Sequence, residues 1–214
     1  MASQSETRGP VFAIEEAPPE NKPQYANYSV LPWEAANAEA RKWSNYLYSV
    51  IDEEGPDLLN GSTDEAVFCS GYAKRTRAEK IQFWGHFFTQ IAKYESEYDP
   101  LMRTIEKGKV DAITGRLLFS EGLLQMSYQD VQMMPRCDFD WTRDKNLSSN
   151  DPGKTVLSPY RNLRCGVLML NQQVHHSGKI VMDSGAYWAV IKGNDRYQKI
   201  KEISAYTQAL DFCK

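Results

Sequence analysis

The chain has 214 residues, of which 42% are hydrophobic and 12% aromatic, and its formal net charge is −3. A chain of this length can bury a core of its own, and one globular domain is the first expectation. No apolar run approaches the roughly 20 residues of a membrane span, and a net charge of −3 provides no basic field that would attract nucleic acid or an anionic membrane.

The first 31 residues are polar, carry no hydrophobic period and predict a linker or an extended arm, with residues 32–214 as the folded domain. The segment is marked by prolines: Pro10, Pro18, Pro19 and Pro23. The chain begins with Met-Ala-Ser-Gln-Ser, which is not a signal peptide. It is therefore expected to be either cytoplasmic or exported after removal of a signal that precedes the numbering.

Four cysteines bear on the compartment: Cys69, Cys137, Cys165 and Cys213. They contain no Cys-x-x-Cys pair, so no zinc site is expected. Their even number favours two disulfides and export. Four free thiols in a cytosolic protein fit the spacing equally well.

The first predicted helix begins at Pro32, since proline is favoured in a first helical turn, and it ends at Gly55-Pro56. Its apolar face is expected to pack into the core: Trp33, Ala36, Ala40, Trp43, Leu47, Val50 and Ile51.

A second, strongly amphipathic helix is predicted from a capping box at Thr76 and Glu79 to Asp99, where Pro100 disfavours further helix. Its apolar residues recur at helical spacing: Ile81, Trp84, Phe88, Ile91, Ala92 and Tyr98. Glu95 falls in the last turn. The negative end of the helix dipole and partial burial both disfavour its anion, which would raise its pKa to a value useful for a general acid. The alternative is an ordinary glutamate in solvent.

After Pro100 a small hairpin is predicted, with strands at 110–113 and 116–119 around Thr114-Gly115. It leads into Gly122-Leu-Leu-Gln125, whose terminal amide could donate to and accept from a sugar, or could be a surface amide. Residues 137–153 are predicted to form an acidic loop. Its Trp141 would either stack on a sugar ring or pack into the core, and its spacing is not that of an EF-hand.

A further helix is predicted from Pro159 to a cap at Gly178, with Gly166 allowing another helix to approach closely. A short helix carrying Tyr187 and Trp188 is expected after Ser184-Gly185. The last helix is predicted from about Asp195 to Phe212.

Four of these stretches occur in a recognisable order between about Cys69 and Lys192. They are Glu95-Ser96 at a helix end, Gly-Leu-Leu-Gln at 122–125, Asn-x-x-x-Gly at 162–166 and Ala-Tyr-Trp at 186–188. In that order they resemble the soluble-lytic-transglycosylase family, which is related to goose-type lysozyme. The family usually has Asn where this chain has Trp188. The resemblance implies an α+β fold that is mainly α, lysozyme-like, with a small β-hairpin beside the active-site cleft, and it implies no cofactor.

The resemblance also implies a reaction. Glu95 would protonate the β-1,4 glycosidic oxygen between N-acetylmuramic acid and the next glucosamine of peptidoglycan, then act as base. The muramic N-acetyl group would support the oxocarbenium ion in place of a second carboxylate. Attack by water would make the enzyme a lysozyme, and attack by the sugar's own 6-hydroxyl would give a 1,6-anhydro product. The alternatives are an inactive glycan-binding module, which Trp188 would favour, and chance matches in a cytosolic helical protein.

Other residues take roles from the same resemblance. Tyr187 would donate a hydrogen bond to Glu95. The sugar groove would be lined by Ser96, Gln125, Ser127, Tyr128 and Trp141. If a second carboxylate takes part, the candidates are Glu97, Glu121, Asp130, Asp138 and Asp140.

The chain also resembles the exported, cysteine-bearing bacterial members of the family. This resemblance implies export to the periplasm or the medium, a monomer, and the pairs Cys137–Cys165 and Cys69–Cys213. These bacterial members include lysozymes of predatory bacteria that are specific for N-deacetylated walls. Deacetylation exposes ammonium groups, which acids flanking the groove would favour: Glu97, Asp99, Glu121, Asp130, Asp138 and Asp140.

Overall fold

The computed structural model describes residues 25–37 and 39–214. The helices and strands in that part of the chain are α1 Ala40–Glu54, α2 Pro56–Asn60, α3 Arg77–Ser96, β1 Arg103–Val110, β2 Leu117–Glu121, α4 Asp130–Met133, α5 Trp141–Asp144, α6 Pro159–Ser177 and α7 Ile200–Gln208. The fold is therefore α+β and mainly α, as predicted, with one two-stranded antiparallel sheet. None of the helices within the described ranges combines the length and the apolar character needed to cross a bilayer.

Helix α3 is the central element of the core. It contacts α1, α2 and α7, and residues 83–92 are all buried. The prediction of one buried face is therefore wrong, because neighbouring helices cover this helix all round, and even its polar residues Thr89 and Gln90 lie inside.

The ends of α3 differ in how well the sequence predicted them. The capping box is confirmed, since Thr76 accepts from the Glu79 amide and the Glu79 carboxylate accepts from the Thr76 amide. The helix ends at Ser96, three residues before the predicted end at Asp99. Glu97 and Tyr98 are both left-handed, with φ of 52° and 69°, so the chain leaves the helix before Pro100 acts.

The first predicted helix is divided in two. A 3₁₀ turn covers Pro32–Ala35, and α1 begins only at Ala40. Gly55 ends α1 as predicted, and Pro56 starts α2. The predicted N-terminal arm lies mostly outside the described residues. Its last part packs on the domain, where Tyr25 and Leu31 are buried.

The C-terminal region follows the prediction in part. Helix α6 begins at Pro159 and ends at the left-handed Gly178, as expected. Tyr187 and Trp188 precede a 3₁₀ turn, Ala189–Ile191, and are not helical. The last helix is shorter than predicted, since α7 spans Ile200–Gln208 and a 3₁₀ turn follows at Asp211–Cys213.

The hairpin exists, but its first strand starts earlier than predicted. Strand β1 begins at Arg103, and β2 pairs with it so that Arg103 lies opposite Glu121 and Thr104 opposite Ser120. The register is interrupted between Ile105 and Val110, as at a β-bulge. Successive residues of a strand point to opposite faces, so Arg103, Glu121 and their alternates lie on one face of the hairpin and Thr104 and Ser120 on the other.

Both predicted disulfides are present: Cys69–Cys213, with Cα atoms 4.7 Å apart, and Cys137–Cys165, with Cα atoms 4.5 Å apart. The first closes a loop of 144 residues and joins the chain end to the segment before α3. The second joins the turn after α4 to α6. Each removes freedom from the unfolded chain and is expected to stabilise the fold by about 2–5 kcal/mol.

The segment 122–125 is held by one buried side chain of α6. Asn162 accepts from the Leu124 amide at 2.6 Å and donates to the carbonyls of Glu121 at 2.9 Å and Val156 at 3.1 Å. Gly166, one turn further along α6, lies under Leu124, because a Cβ at this position would sit 2.3 Å from Leu124 Cδ1. The close approach expected at Gly166 is therefore made by a loop and not by a helix.

Gly122→Ala should lower the free energy of unfolding by about 2–4 kcal/mol. Gly122 is left-handed, with φ of 80°, and an added Cβ would lie 2.5 Å from Asn162 Nδ2. The matched control is Gly115→Ala, at φ of 65° with open space around its Cβ position, which should cost only the left-handed strain of about 1–2 kcal/mol. Urea unfolding of both variants measures the difference, and equal losses would show that contact with Asn162 is unimportant.

Candidate active site

A groove of about 350 Å³ opens between the end of α3, the hairpin and the segment after α6. Glu95 lies in its wall. The other lining residues are Tyr94, Thr104, Glu106, Ser120, Gln125, Ala189, Val190, Tyr197 and Lys199.

Glu95 is half-buried, and burial together with the nearby Glu106 carboxylate raises the pKa of its carboxyl to about 7. The shift has the direction expected from the sequence, but its second cause is another carboxylate across the groove and not the helix dipole. A carboxyl with this pKa is partly protonated at neutral pH and can both donate and accept a proton.

Glu106 is the residue that the sequence missed. It lies on β1 and accepts hydrogen bonds from Ser120 Oγ at 3.1 Å and Lys109 Nζ at 3.2 Å. The sequence predicts a hairpin that starts only at residue 110, which leaves Glu106 outside its strands. Glu106 lies two residues beyond Thr104 and lines the groove with it. The strand pairing that puts these residues there is a property of the fold, with an interruption after Ile105, and no motif in the sequence marks it.

The five carboxylates considered from the sequence as a second acid are absent from the residues that line this groove. Glu121 is buried between Arg103 and Lys154, each 2.7 Å away. Asp138 pairs with Arg161, and Asp140 caps α5. Glu97 is exposed beyond the helix end, and Asp130 is bound to Tyr187.

Gln125 lines the groove as expected. It is left-handed, with φ of 52°, and its Nε2 donates to the carbonyls of Gly122 at 2.9 Å and Met102 at 3.3 Å. Its Oε1 is buried, and no residue in the described part of the chain donates to it. A buried amide oxygen without a hydrogen-bond donor costs free energy, which a donor group of a bound molecule would recover.

Ser96 and Ser127, both expected to line the groove, are buried. The Ser96 hydroxyl donates to the carbonyls of Ala92 at 3.1 Å and Leu123 at 2.9 Å, so it attaches the segment 122–125 to α3. The Ser127 amide donates to Asp130 Oδ2 at 2.7 Å. These two serines position the loop under the groove and do not line it.

Tyr187 was expected to donate a hydrogen bond to Glu95. Its hydroxyl instead donates to Asp130 Oδ2 at 2.5 Å. Burial is the largest cause that raises the pKa of Tyr187 well above its usual range. The Asp130 carboxylate and, to a smaller extent, the Glu95 carboxylate raise this pKa further. The hydroxyl is thus protonated, and Glu95 is close enough to influence it. Burial also raises the pKa of Asp130.

Tyr128 and Trp141 lie elsewhere than predicted. They line a second cavity on the opposite face of the hairpin, with Arg103, Phe119 and Glu121. Tyr128 is buried and donates to Asp144 Oδ2 at 2.9 Å. The expectation of a sugar groove containing both Trp141 and Glu95 is therefore corrected, because the hairpin lies between them.

Two residues of the groove carried no motif and were not singled out in the sequence. Tyr197 is 58% exposed; the Arg196 guanidinium lies over one face of its ring, 4.6 Å from the centre, which leaves the other face for a ligand. Lys199 has its ammonium 5.8 Å from the centre of the Tyr94 ring. Both follow Trp188, which is buried and donates from Nε1 to the Leu124 carbonyl at 2.8 Å. Trp188 thus binds the segment 122–125 to the segment that carries these two residues.

Within residues 25–37 and 39–214 no three His, Cys, Asp or Glu side chains are grouped as a metal site would require.

The chain is similar to three solved structures of one protein, DslA (Bd0314) from Bdellovibrio. The wild-type structure is 28% identical with a TM-score of 0.71, covering 86% of this chain and 98% of DslA. A variant with glutamine for glutamate 154 of that protein is 27% identical with a TM-score of 0.71, covering 86% of this chain and 98% of DslA. A variant with glutamine for glutamate 143 of that protein is 29% identical with a TM-score of 0.70, covering 85% of this chain and 96% of DslA. Comparison with protein-family models and with curated proteins found no match.

The two glutamates replaced in the DslA variants lie 11 positions apart, at 143 and 154 of that protein. Glu95 and Glu106 are also 11 positions apart in this chain.

Proposed function

We propose that this chain is a peptidoglycan-cleaving glycosidase that uses Glu95 as general acid and base and Glu106 as the second carboxylate. The observation that carries the proposal is a groove lined by two carboxyl groups, one of which has a pKa of about 7 that the other helps to raise. The order of the sequence motifs supports peptidoglycan as the substrate. The likeness to DslA, with its two glutamate variants at the same spacing, supports the pair.

The first step is proton transfer from Glu95 to the oxygen of the β-1,4 bond between N-acetylmuramic acid and glucosamine. The bond from C1 to that oxygen then breaks, the glucosamine leaves as an alcohol, and positive charge develops on the muramic ring. The Glu106 carboxylate stabilises this charge, held in place by Ser120 Oγ and Lys109 Nζ.

The second step decides the class of enzyme. In hydrolysis, water adds to C1 and gives its proton to a carboxylate, either Glu95 or Glu106. In transglycosylation the 6-hydroxyl of the muramic sugar adds instead, and the product is lighter by one water. We favour hydrolysis, because a carboxylate on the hairpin side of the groove can orient a water, as in glycosidases that use two carboxylates.

Sugar binding falls to Gln125 and Tyr197, which both line the groove. The buried Oε1 of Gln125 would accept from a sugar hydroxyl or acetamido N–H. The exposed ring of Tyr197 would stack on a pyranose face. These contacts replace those expected from Ser127, Tyr128 and Trp141.

The binding of N-deacetylated glucosamine is part of the proposal. Of the acids expected to favour its ammonium group, Glu121 and Asp130 are buried with partners of their own. The attraction therefore rests on Glu106 in the groove and on Glu97 and Asp99, which are exposed at the end of α3. Exposed charge pairs contribute about 0.2–1 kcal/mol each, so the expected preference is several-fold and weakens with salt.

The test is digestion of matched cell walls before and after treatment with a glucosamine N-deacetylase, at low and high salt, with mass analysis of the products. We expect soluble glycan fragments of hydrolysed mass, released several-fold faster from deacetylated walls at low salt. Predominantly anhydro products would assign a transglycosylase. Binding without cleavage of either wall would assign a glycan-binding module.

Tyr187→Phe should lower kcat about 3–30-fold and lower the free energy of unfolding by about 1.5–3 kcal/mol, because the buried Asp130 carboxylate loses one hydrogen-bond donor. Without the hydroxyl, Asp130 loses the donor beside Glu95, so the pH profile of kcat should also move. Tyr160→Phe, on α6 and absent from the residues lining the groove, is the matched control. A Tyr187→Phe enzyme with the parent's rate and pH profile would limit Tyr187 to packing.

A further inference from the structure

The cavity on the face of the hairpin away from Glu95 has the properties of a second binding site. Its volume is about 270 Å³. Its wall on the hairpin comes from alternate strand residues, Leu117 and Phe119 among them, and its other wall from Tyr128 and from α5 with Trp141. We call it the back cavity.

Two cations line the back cavity without an ion-pair partner in the described ranges: Arg116 and Lys145. Both are exposed. The guanidinium carbon of Arg116 lies 4.7 Å from the centre of the Trp141 ring, and a guanidinium in a cation–π contact keeps N–H groups that can donate to an anion. The cavity's other two cations, Arg103 and Lys154, are both taken up by Glu121.

One of the residues that line the back cavity is a buried carboxylate with one oxygen that lacks a hydrogen-bond donor. Asp144 is 1% exposed. Its Oδ2 accepts from the Tyr128 hydroxyl at 2.9 Å, from the Thr155 amide at 2.5 Å and from the Thr155 hydroxyl. No side chain or amide of the described part of the chain donates to its Oδ1, and Arg143 Nε is 4.0 Å away, beyond hydrogen-bonding distance.

The acceptor and the cations line the same cavity. Asp144 is one helical turn from Trp141, and residues three apart in a helix lie side by side. Arg116 stacks on the same Trp141, and Lys145 follows Asp144 directly. The lining of the cavity therefore combines a carboxylate oxygen without a donor, two positive groups and an aromatic ring.

We propose that the back cavity binds a zwitterionic α-amino-acid centre, with the carboxylate on Arg116 and Lys145, the ammonium group at Asp144 Oδ1 and the carbon chain on Trp141 and Phe119. An ordinary peptide end carries only one of the two charges. The free end of a diaminopimelate residue carries both, and the stem peptides of many bacterial walls contain it. Identification of this source rests on the proposed function, whereas the site itself does not.

The occupant and the cleaved bond would then lie on opposite faces of the hairpin. A stem peptide held in the back cavity would belong to a neighbouring strand of the wall or to the chain just released. The site would thus hold the enzyme on the wall between cleavage events.

Calorimetric titration of the full chain with three small probes tests the charges required. The probes are meso-diaminopimelate, pimelate, which has the same carbon chain and both carboxylates without the amines, and 1,5-diaminopentane, which has the amines without the carboxylates. We expect diaminopimelate to bind at least about tenfold more tightly than either of the others, since each charge-assisted contact contributes a factor of about ten or more.

Two variants locate the binding. Arg116→Ala and Lys145→Ala change exposed side chains and should each weaken diaminopimelate binding about tenfold, while Lys107→Ala, an exposed cation on β1 that does not line the cavity, should not. Equal affinity for the three probes, or unchanged affinity in both cavity variants, would overturn the proposal. The Glu95→Gln chain should bind the probe like the parent, so loss of cleavage and loss of this binding are separable.

Discussion

Glu95→Gln should slow glycan cleavage by a factor of about 10²–10⁴, since the amide cannot give the proton that the leaving oxygen requires. The change keeps the size of the side chain, so binding of the glycan should be nearly unchanged. Turbidity loss of purified walls and release of soluble fragments measure the rate. The matched control is Glu97→Gln, the same chemical change at an exposed position two residues on, which should retain most of the activity.

Glu95→Gln lowers activity but should raise the free energy of unfolding at alkaline pH, because the pKa of Glu95 is raised in the folded chain. The pKa of Glu95 is about 7 in the folded chain against an ordinary value of 4.5. Stability contributed by the protonated group is therefore fully present below pH 4.5 and is lost as the pH rises through 7. Glu95→Gln removes this loss and should raise the free energy of unfolding by about 1–3 kcal/mol at pH 8, with no gain at pH 4. A variant that clears walls like the parent would refute the assignment of Glu95.

Glu106→Gln should lower kcat about 10–10³-fold and move the alkaline limb of the pH profile to lower pH. The Glu106 charge helps to raise the pKa of Glu95, so without it Glu95 loses its proton at a lower pH and the acid form disappears sooner. Loss of a carboxylate that stabilises the developing positive charge lowers the rate at every pH.

Rates of the Glu106→Gln enzyme across pH 4–9, beside those of Glu39→Gln, separate the two effects. Glu39 is exposed, pairs with Lys42 and does not line the groove, so its variant should follow the parent's profile. A Glu106 variant with the parent's rate but a shifted alkaline limb would make Glu106 only an electrostatic neighbour. An unshifted limb and an unchanged rate would leave Glu95 as the sole carboxylate of the reaction.

The elements that the sequence predicted correctly are those coded by neighbouring residues. The cap at Thr76, the proline start and glycine end of α6, and the existence of a hairpin each depend on a few adjacent positions. The cysteine pairs are non-local, and they were assigned only through the resemblance to exported proteins.

The elements that the sequence mispredicted depend on tertiary packing between segments that are distant in the chain. The burial of α3 on all sides comes from the helices around it. The role of Glu106 depends on a strand register with an interruption after Ile105, which no local pattern specifies. Tyr128 follows the motif around Gln125 by only three positions, yet it faces the other side of the hairpin. Nearness in the sequence therefore overestimated how many motif residues share the groove.

The two disulfides have a consequence for the survival of the protein among proteases. Residues 145–150, after α5, form an exposed stretch of chain, the kind of site at which proteases cut first. Cys69 and Cys137 precede this stretch, and their partners Cys213 and Cys165 follow it. A single cut there leaves two fragments that are covalently joined twice, with Glu95 and Glu106 both on the first fragment. The nicked molecule is held together independently of its non-covalent contacts, so one cleavage event does not release either half.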